Sequence, residues 1–138
     1  MTSMSAGPRL LVAEDDEAMR DLIVTQLRHD GYEVIEASDG AQLLDHIGAV
    51  TAEDGGGPTA IAMIISDLRM PGLSGLDLLA ALRCAEWQTP VVLITAFASE
   101  ETHAEARDLG ALCVLDKPFP LERLRAIVRT TLAAPRSA

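Results

Sequence analysis

The chain has 138 residues, which suits one domain and allows roughly two-thirds of the unfolded surface to be buried. Its 11 Lys and Arg stand against 21 Asp and Glu, and the net charge of -10 disfavours direct binding to nucleic acid. No apolar run approaches the roughly 18 residues of a membrane span, and the segment from Met1 to Gly7 lacks the charged and apolar regions of a secretory leader, so a cytoplasmic protein without membrane contact is expected.

Arg9 to Ala13 is a short apolar strand, followed at once by Glu14, Asp15, Asp16 and Glu17. Carboxylates crowd together at a cost unless a cation or water separates them. Asp16 and Glu17 read as acids at a helix N-terminus, where they complement its dipole. Glu14 and Asp15 fall at the strand end itself and are candidate metal ligands, since hard cations gather carboxylates. Met19, Leu22, Ile23 and Leu27 recur at helical spacing up to His29, Asp30 and Gly31, where glycine supplies a left-handed stop. A second strand, Tyr32 to Ala37, alternates enough to be an edge strand with one wetter face. Ser38, Asp39 and Gly40 restart a helix to about Val50, with Leu43, Leu44 and Ile47 facing inward.

Thr51 to Thr59 reads as a surface loop; its three glycines lack the Gly-Lys-Ser/Thr ending of a nucleotide cradle. The apolar run from Ile61 then ends in Asp67 and breaks at Pro71 and Gly72, the pattern of a buried strand that delivers one carboxylate to the rim of a sheet. Ser74, with Asp77 three residues on, is a capping box for a third helix that carries Leu76, Leu79, Ala80 and Leu82. Thr89 and Pro90 open the apolar strand Val91 to Thr95. Ser99 caps a fourth helix whose apolar stripe, Ala98, Ala106 and Leu109, is thin, as expected of an element that moves or docks. A fifth strand, Gly110 to Leu115, ends in Asp116, Lys117, Pro118 and Phe119. The last helix places Leu121, Leu124, Ile127, Val128 and Leu132 on one stripe. Arg123, Arg125, Arg129 and Arg136 read as a solvated face of that segment, and Cys84 and Cys113, without metal-ligand spacing, as reduced thiols in or near the core. His29, His46 and His103 stand isolated, with no role assigned.

Alternating strands and helices make an α/β fold, a five-stranded parallel sheet with five helices on both faces. In such sheets reactive groups gather at the carboxyl ends of the strands, which here carry Glu14, Asp15, Asp67, Thr95 and Lys117. Three carboxylates suit one Mg²⁺, which prefers oxygen ligands and retains waters. Asp15 and Asp67 would ligate directly and Glu14, with its longer side chain, through water. An Asp carboxylate is a competent nucleophile toward phosphorus once a cation screens the incoming group. Lys117 and Thr95 are suited to pair with phosphoryl oxygens.

Five motifs now fall in order: Val12-Ala13-Glu14-Asp15-Asp16, Ser66-Asp67-Leu68-Arg69-Met70-Pro71-Gly72-Leu73-Ser74-Gly75, Leu93-Ile94-Thr95-Ala96, Gly110-Ala111 and Asp116-Lys117-Pro118-Phe119. In these the chain resembles the receiver domains of two-component response regulators, over nearly its whole length. The resemblance implies a flavodoxin-like doubly wound sheet of order 2-1-3-4-5, with residues 1–8 a flexible N-terminus, 9–133 the receiver domain and 134–138 a tail. It implies that Asp67 accepts a phosphoryl group from a phosphohistidine on a sensor histidine kinase or a histidine phosphotransfer protein. It also implies Mg²⁺ on Glu14, Asp15, Asp67 and the Arg69 backbone carbonyl, phosphoryl contacts from Thr95 and Lys117, and a cis peptide between Lys117 and Pro118. The surface of helix 4, strand 5 and helix 5 would then be remodelled for a downstream target, or for a homodimer formed through it.

One position departs from the family pattern: Val114 stands where a Tyr or Phe usually turns inward as the Thr moves. Phe97 and Arg69, each two residues past a site residue, are expected to shield the acyl phosphate and slow its hydrolysis. An aspartate-nucleophile phosphatase would need a second Asp as general acid two residues after Asp67, where Arg69 stands. A flavodoxin-type cofactor binder would need a Ser/Thr/Gly phosphate loop after the first strand, where acids stand. A scaffold that docks partners without any phosphate is the remaining alternative, and Val114 is its support.

Overall fold

The computed structural model describes residues 7–54, 61–96 and 99–133. Five parallel strands form one sheet in the order β2-β1-β3-β6-β7: β1 is Arg9–Ala13, β2 Glu33–Ala37, β3 Met63–Asp67, β6 Val91–Thr95 and β7 Cys113–Asp116. Two further two-residue strands, β4 (Arg69–Met70) and β5 (Leu73–Ser74), make a small antiparallel ladder of their own. With that ladder set aside, the order is the expected 2-1-3-4-5. The helices are α1 (Glu17–His29), α2 (Gly40–Asp54), α3 (Gly75–Cys84), α4 (Glu100–Asp108) and α5 (Leu121–Ala133).

Strand side chains alternate between two faces, and both faces are apolar here, so the sheet separates two cores. Leu11, Ala13, Ile64, Val91 and Leu93 pack with Leu43 of α2, Leu78, Leu79 and Leu82 of α3, and Ala106 of α4. Leu10, Val12, Met63, Ile65, Val92 and Ile94 pack with Ile23, Val24 and Leu27 of α1 and Leu124 and Val128 of α5. Burying each such side chain contributes about 1.5–3 kcal/mol. The three central strands, β1, β3 and β6, are buried almost throughout, and their carboxyl ends are correspondingly well placed.

The helical stripes need adjustment from the sequence expectation. In α1 Val24 is buried while Leu22 is 54% exposed; in α2 Leu44 is 49% exposed, and in α3 Leu78 joins Leu79 and Leu82 inside. A 3.6-residue period tolerates a rotation of one residue, and only the facing sheet selects the buried stripe. Helix α2 runs to Asp54, so Thr51 to Asp54 are helical where a loop was expected, and Gly55 to Thr59 lie outside the described residues. Nothing in Thr51-Ala52-Glu53-Asp54 breaks a helix. Cys84, expected in or near the core, is exposed at the end of α3, and Cys113 is half-buried; both are free thiols.

Turn chemistry is otherwise as the sequence suggests. Gly31 (φ +105°) follows the last turn of α1, and Gly72 (φ +87°) turns the chain between β4 and β5. Ser74 Oγ accepts from Asp77 N–H at 3.0 Å, which caps α3. Gly75 is required for a different reason. A Cβ there would sit 3.1 Å from the Asp67 carbonyl oxygen and 2.9 Å from Leu93, so α3 starts against the strand that carries Asp67 only because the residue is glycine.

Candidate functional site

Three of the strand ends converge. Glu14 follows β1 with its N–H donating to the Ala37 carbonyl at 3.1 Å, Asp67 closes β3, and Lys117 follows β7 with its N–H donating to the Thr95 carbonyl at 2.7 Å. The register β1–β3–β6–β7 therefore places four sequence-distant groups at one edge. Glu14 is 1% exposed, Asp67 6% and Thr95 1%, whereas Asp15 lies open to solvent. Carboxylate oxygens of Glu14, Asp15 and Asp67 lie within 4.8 Å of one another, the one acidic group of this kind among the described residues.

Lys117 crosses 50 residues of sequence to reach them. Its Nζ donates to Asp67 Oδ2 at 3.2 Å and stands 3.1 Å from Glu14 Oε1, an ion-pair distance without hydrogen-bond alignment, which leaves that buried oxygen with an open acceptor direction. The other Glu14 oxygen accepts from Asp16 N–H at 3.1 Å. Burial, followed by the neighbouring Asp67 carboxyl, pushes the Glu14 carboxyl up from 4.5 to about 7. Burial pulls the Lys117 ammonium down, but its pairing with Glu14 and the Asp67 charge outweigh that, and the net shift is upward. Two buried carboxylates and one cation leave a surplus of negative charge, the setting in which a divalent ion binds well. An all-oxygen donor set with an open position on Glu14 fits a hard cation such as Mg²⁺.

Arg69 N–H faces Asp67 Oδ1 at 3.4 Å while the Arg69 side chain is exposed. Phe97, expected to shield the site, lies outside the described residues, as do Ala98 and Arg136. Val114 is half-buried and packs on the core that includes Ala106 of α4. Beside it a cleft of about 170 Å³ is lined by His103, Arg107, Ala111, Leu112, Cys113 and Val114. The Lys117–Pro118 peptide is cis, as the resemblance implies.

Two features escaped the sequence reading. His103 is not isolated: its Nε2 lies 3.3 Å from Asp116 Oδ1, linking α4 to the end of β7. Arg125, read as part of a solvated basic face, forms a bidentate pair with Asp30, with both contacts at 2.8 Å, and holds Asp30 below the usual carboxylate range. Ninety-five residues separate Arg125 from Asp30, so no local signal was available.

A doubly wound sheet with an acidic cluster and one lysine at its carboxyl edge is an α/β domain with a site suited to a cation. Residues 10–129 match the response regulator receiver domain family, and the chain belongs to it. It is 35% identical over 123 residues to the uncharacterised transcriptional regulatory protein YkoG of Bacillus subtilis, covering 89% of this chain and 50% of that one. It is 34% identical to the regulatory protein AtoC of Escherichia coli, covering 94% of this chain and 26% of that one. The chain thus spans half or less of the length of these two relatives. Among solved structures, the chemotaxis protein CheY4 of Vibrio cholerae superposes with a TM-score of 0.76 at 28% identity, covering 91% of this chain and 99% of that one. The family is one of signalling domains in two-component systems. No helix among the described residues is long and apolar enough to cross a membrane.

Proposed function

We propose that Asp67 is the phosphoacceptor and that residues 9–133 work as one cytoplasmic receiver unit, fed by a sensor histidine kinase or a histidine phosphotransfer protein. The observation that carries this is the convergence of Lys117 Nζ on Asp67 Oδ2 at 3.2 Å and Glu14 Oε1 at 3.1 Å, beside Asp15. An Asp67 carboxylate oxygen attacks phosphorus, the P–N bond of the phosphohistidine breaks, and its electron pair returns to the imidazole, which takes up a proton. The product is an acyl phosphate. Asp15, Asp67 and the Arg69 carbonyl, with Glu14 acting through water, would hold Mg²⁺, which would supply screening of the phosphoryl oxygens. Lys117, already beside the attacking carboxylate, neutralises the charge that the phosphoryl group brings. The Thr95 hydroxyl, at the buried end of β6, is suited to donate one hydrogen bond to a phosphoryl oxygen.

The acyl phosphate biases a two-state surface made of α4, β7 and α5, which serves an output segment, a separate target or a second copy of the chain. Val114 lacks the ring that would fill the cleft under α4, so in this chain the shift depends on Thr95 and on α4 itself. Phe97, two residues after Thr95 in the sequence, and Arg69, two after Asp67, slow hydrolysis of the acyl phosphate by their bulk; an unchanged phosphoryl half-life in Phe97→Ala would remove that part of the reading.

The deciding experiment is intact mass after incubation with acetyl phosphate and Mg²⁺. The native chain should gain one phosphoryl group and Asp67→Asn none. No gain by the native chain would leave the phosphate-independent scaffold as the better reading.

A further inference from the structure

We infer that Arg20, near the start of α1, is a positioning residue for the divalent cation, acting through the main chain of Glu14 and building on the phosphoacceptor reading above. Arg20 Nη1 donates to the Glu14 carbonyl oxygen at 2.8 Å, while its Nε reaches Glu36 Oε1 at 3.4 Å. The side chain is only 15% exposed. Glu36 lies on β2, opposite Val12 of β1, and its second oxygen is 3.5 Å from Arg28 Nη2, which also donates to the Val34 carbonyl at 2.8 Å.

Both main-chain groups of Glu14 are therefore tied to β2. The N–H goes directly to Ala37. The carbonyl goes through the Arg20 guanidinium to Glu36. That carbonyl belongs to the peptide joining Glu14 to Asp15, the two consecutive cation ligands, and rotation of this peptide would swing their side chains apart. A set of oxygens that must lie within 4.8 Å of one another tolerates little such rotation. Guanidinium geometry suits the task, because its fork presents Nη1 and Nε in fixed directions to two acceptors; an ammonium has no such fork. Partners that orient a metal ligand typically change affinity 10–100-fold when removed.

Charge alone predicts the opposite sign. Deleting a positive group near a cation site lowers repulsion and should tighten Mg²⁺ binding. Weaker binding after its deletion would thus report geometry.

The test is calorimetric titration of the full chain with MgCl₂, with folding checked by circular dichroism. Arg20→Ala should weaken Mg²⁺ binding about tenfold, Arg20→Lys should recover part of it, and Glu36→Gln, which leaves Arg20 Nε only a neutral acceptor, should weaken it a few-fold. Arg9→Gln is the control. It breaks the Arg9–Glu33 pair (3.5 Å) at the other end of the same two strands and should leave affinity unchanged. A folded Arg20→Ala with equal or tighter Mg²⁺ binding would overturn the inference. If Arg20→Ala does not fold, unchanged affinity in Glu36→Gln overturns it instead. A native chain that binds no Mg²⁺ would remove the cation reading itself, a result distinct from either.

Discussion

Two corners of the sheet's carboxyl edge are built to different tolerances. At the β1–β3 corner, Glu14 and Asp67 are almost wholly buried, held by strand register and bridged by one lysine. At the β6–β7 corner, α4 buries only Ala106, leaves a cleft of about 170 Å³ beside Val114, and meets β7 through a pair of which Asp116 is 61% exposed. The first arrangement holds charges in place against their own repulsion. The second has few contacts to lose when it shifts, as expected of an element with low local stability. A rigid and a loosely packed corner thus share one edge, and Thr95 and Lys117, whose main chains hydrogen-bond, join them.

Removing the lysine should break the comparison most severely. Lys117→Met leaves Glu14 and Asp67 facing each other, and loss of one partner from a buried ion pair costs about 3–5 kcal/mol, less here because Lys117 keeps 21% of its side chain exposed. Urea unfolding at neutral pH should register a loss of about 2–3 kcal/mol, with Mg²⁺ recovering part of it. A midpoint unmoved from the native chain would mean that the carboxylates are not strained.

The pH dependence of stability comes next in size. The Glu14 carboxyl titrates near 7 when folded and near 4.5 when unfolded, so the folded chain binds this proton more tightly. Its contribution is fully present below about 4.5, falls as pH rises and is lost above about 7. At 1.36 kcal/mol per pKa unit, the loss is on the order of 3 kcal/mol in metal-free buffer. Glu14→Gln should flatten the curve between these limits, and Mg²⁺ should bind more tightly to the native chain as pH rises. A native curve that rises across the same interval would contradict this environment for Glu14.

Smaller effects belong to the other corner. Val114→Leu places one more methylene group toward the cleft and should stabilise by about 0.5–1 kcal/mol, read as a rise in Tm. Destabilisation instead would show that the space closes in solution. His103→Ala should change stability by less than about 1 kcal/mol, and the difference should shrink in high salt, because the pair is partly exposed. A salt-independent loss would point to packing rather than charge.

Period and punctuation alone located each of the main strands and helices. Apolar runs that end in Asp15, Asp67 and Thr95, with glycine and proline between them, specify strands, their ends and their polar termini, because these are local choices of backbone and burial. The candidate site was legible for the same reason: each of its groups sits at the end of a run. Tertiary structure decided everything that depends on distance through space rather than along the chain. It chose Val24 over Leu22 for the core, drew Arg125 to Asp30, brought Lys117 across to Glu14 and Asp67, and turned Arg20 back onto the Glu14 carbonyl. Hydrophobic period states which residues share a helix face, but side-chain partners and the pKa shifts they cause arise only when separate strand ends are packed side by side.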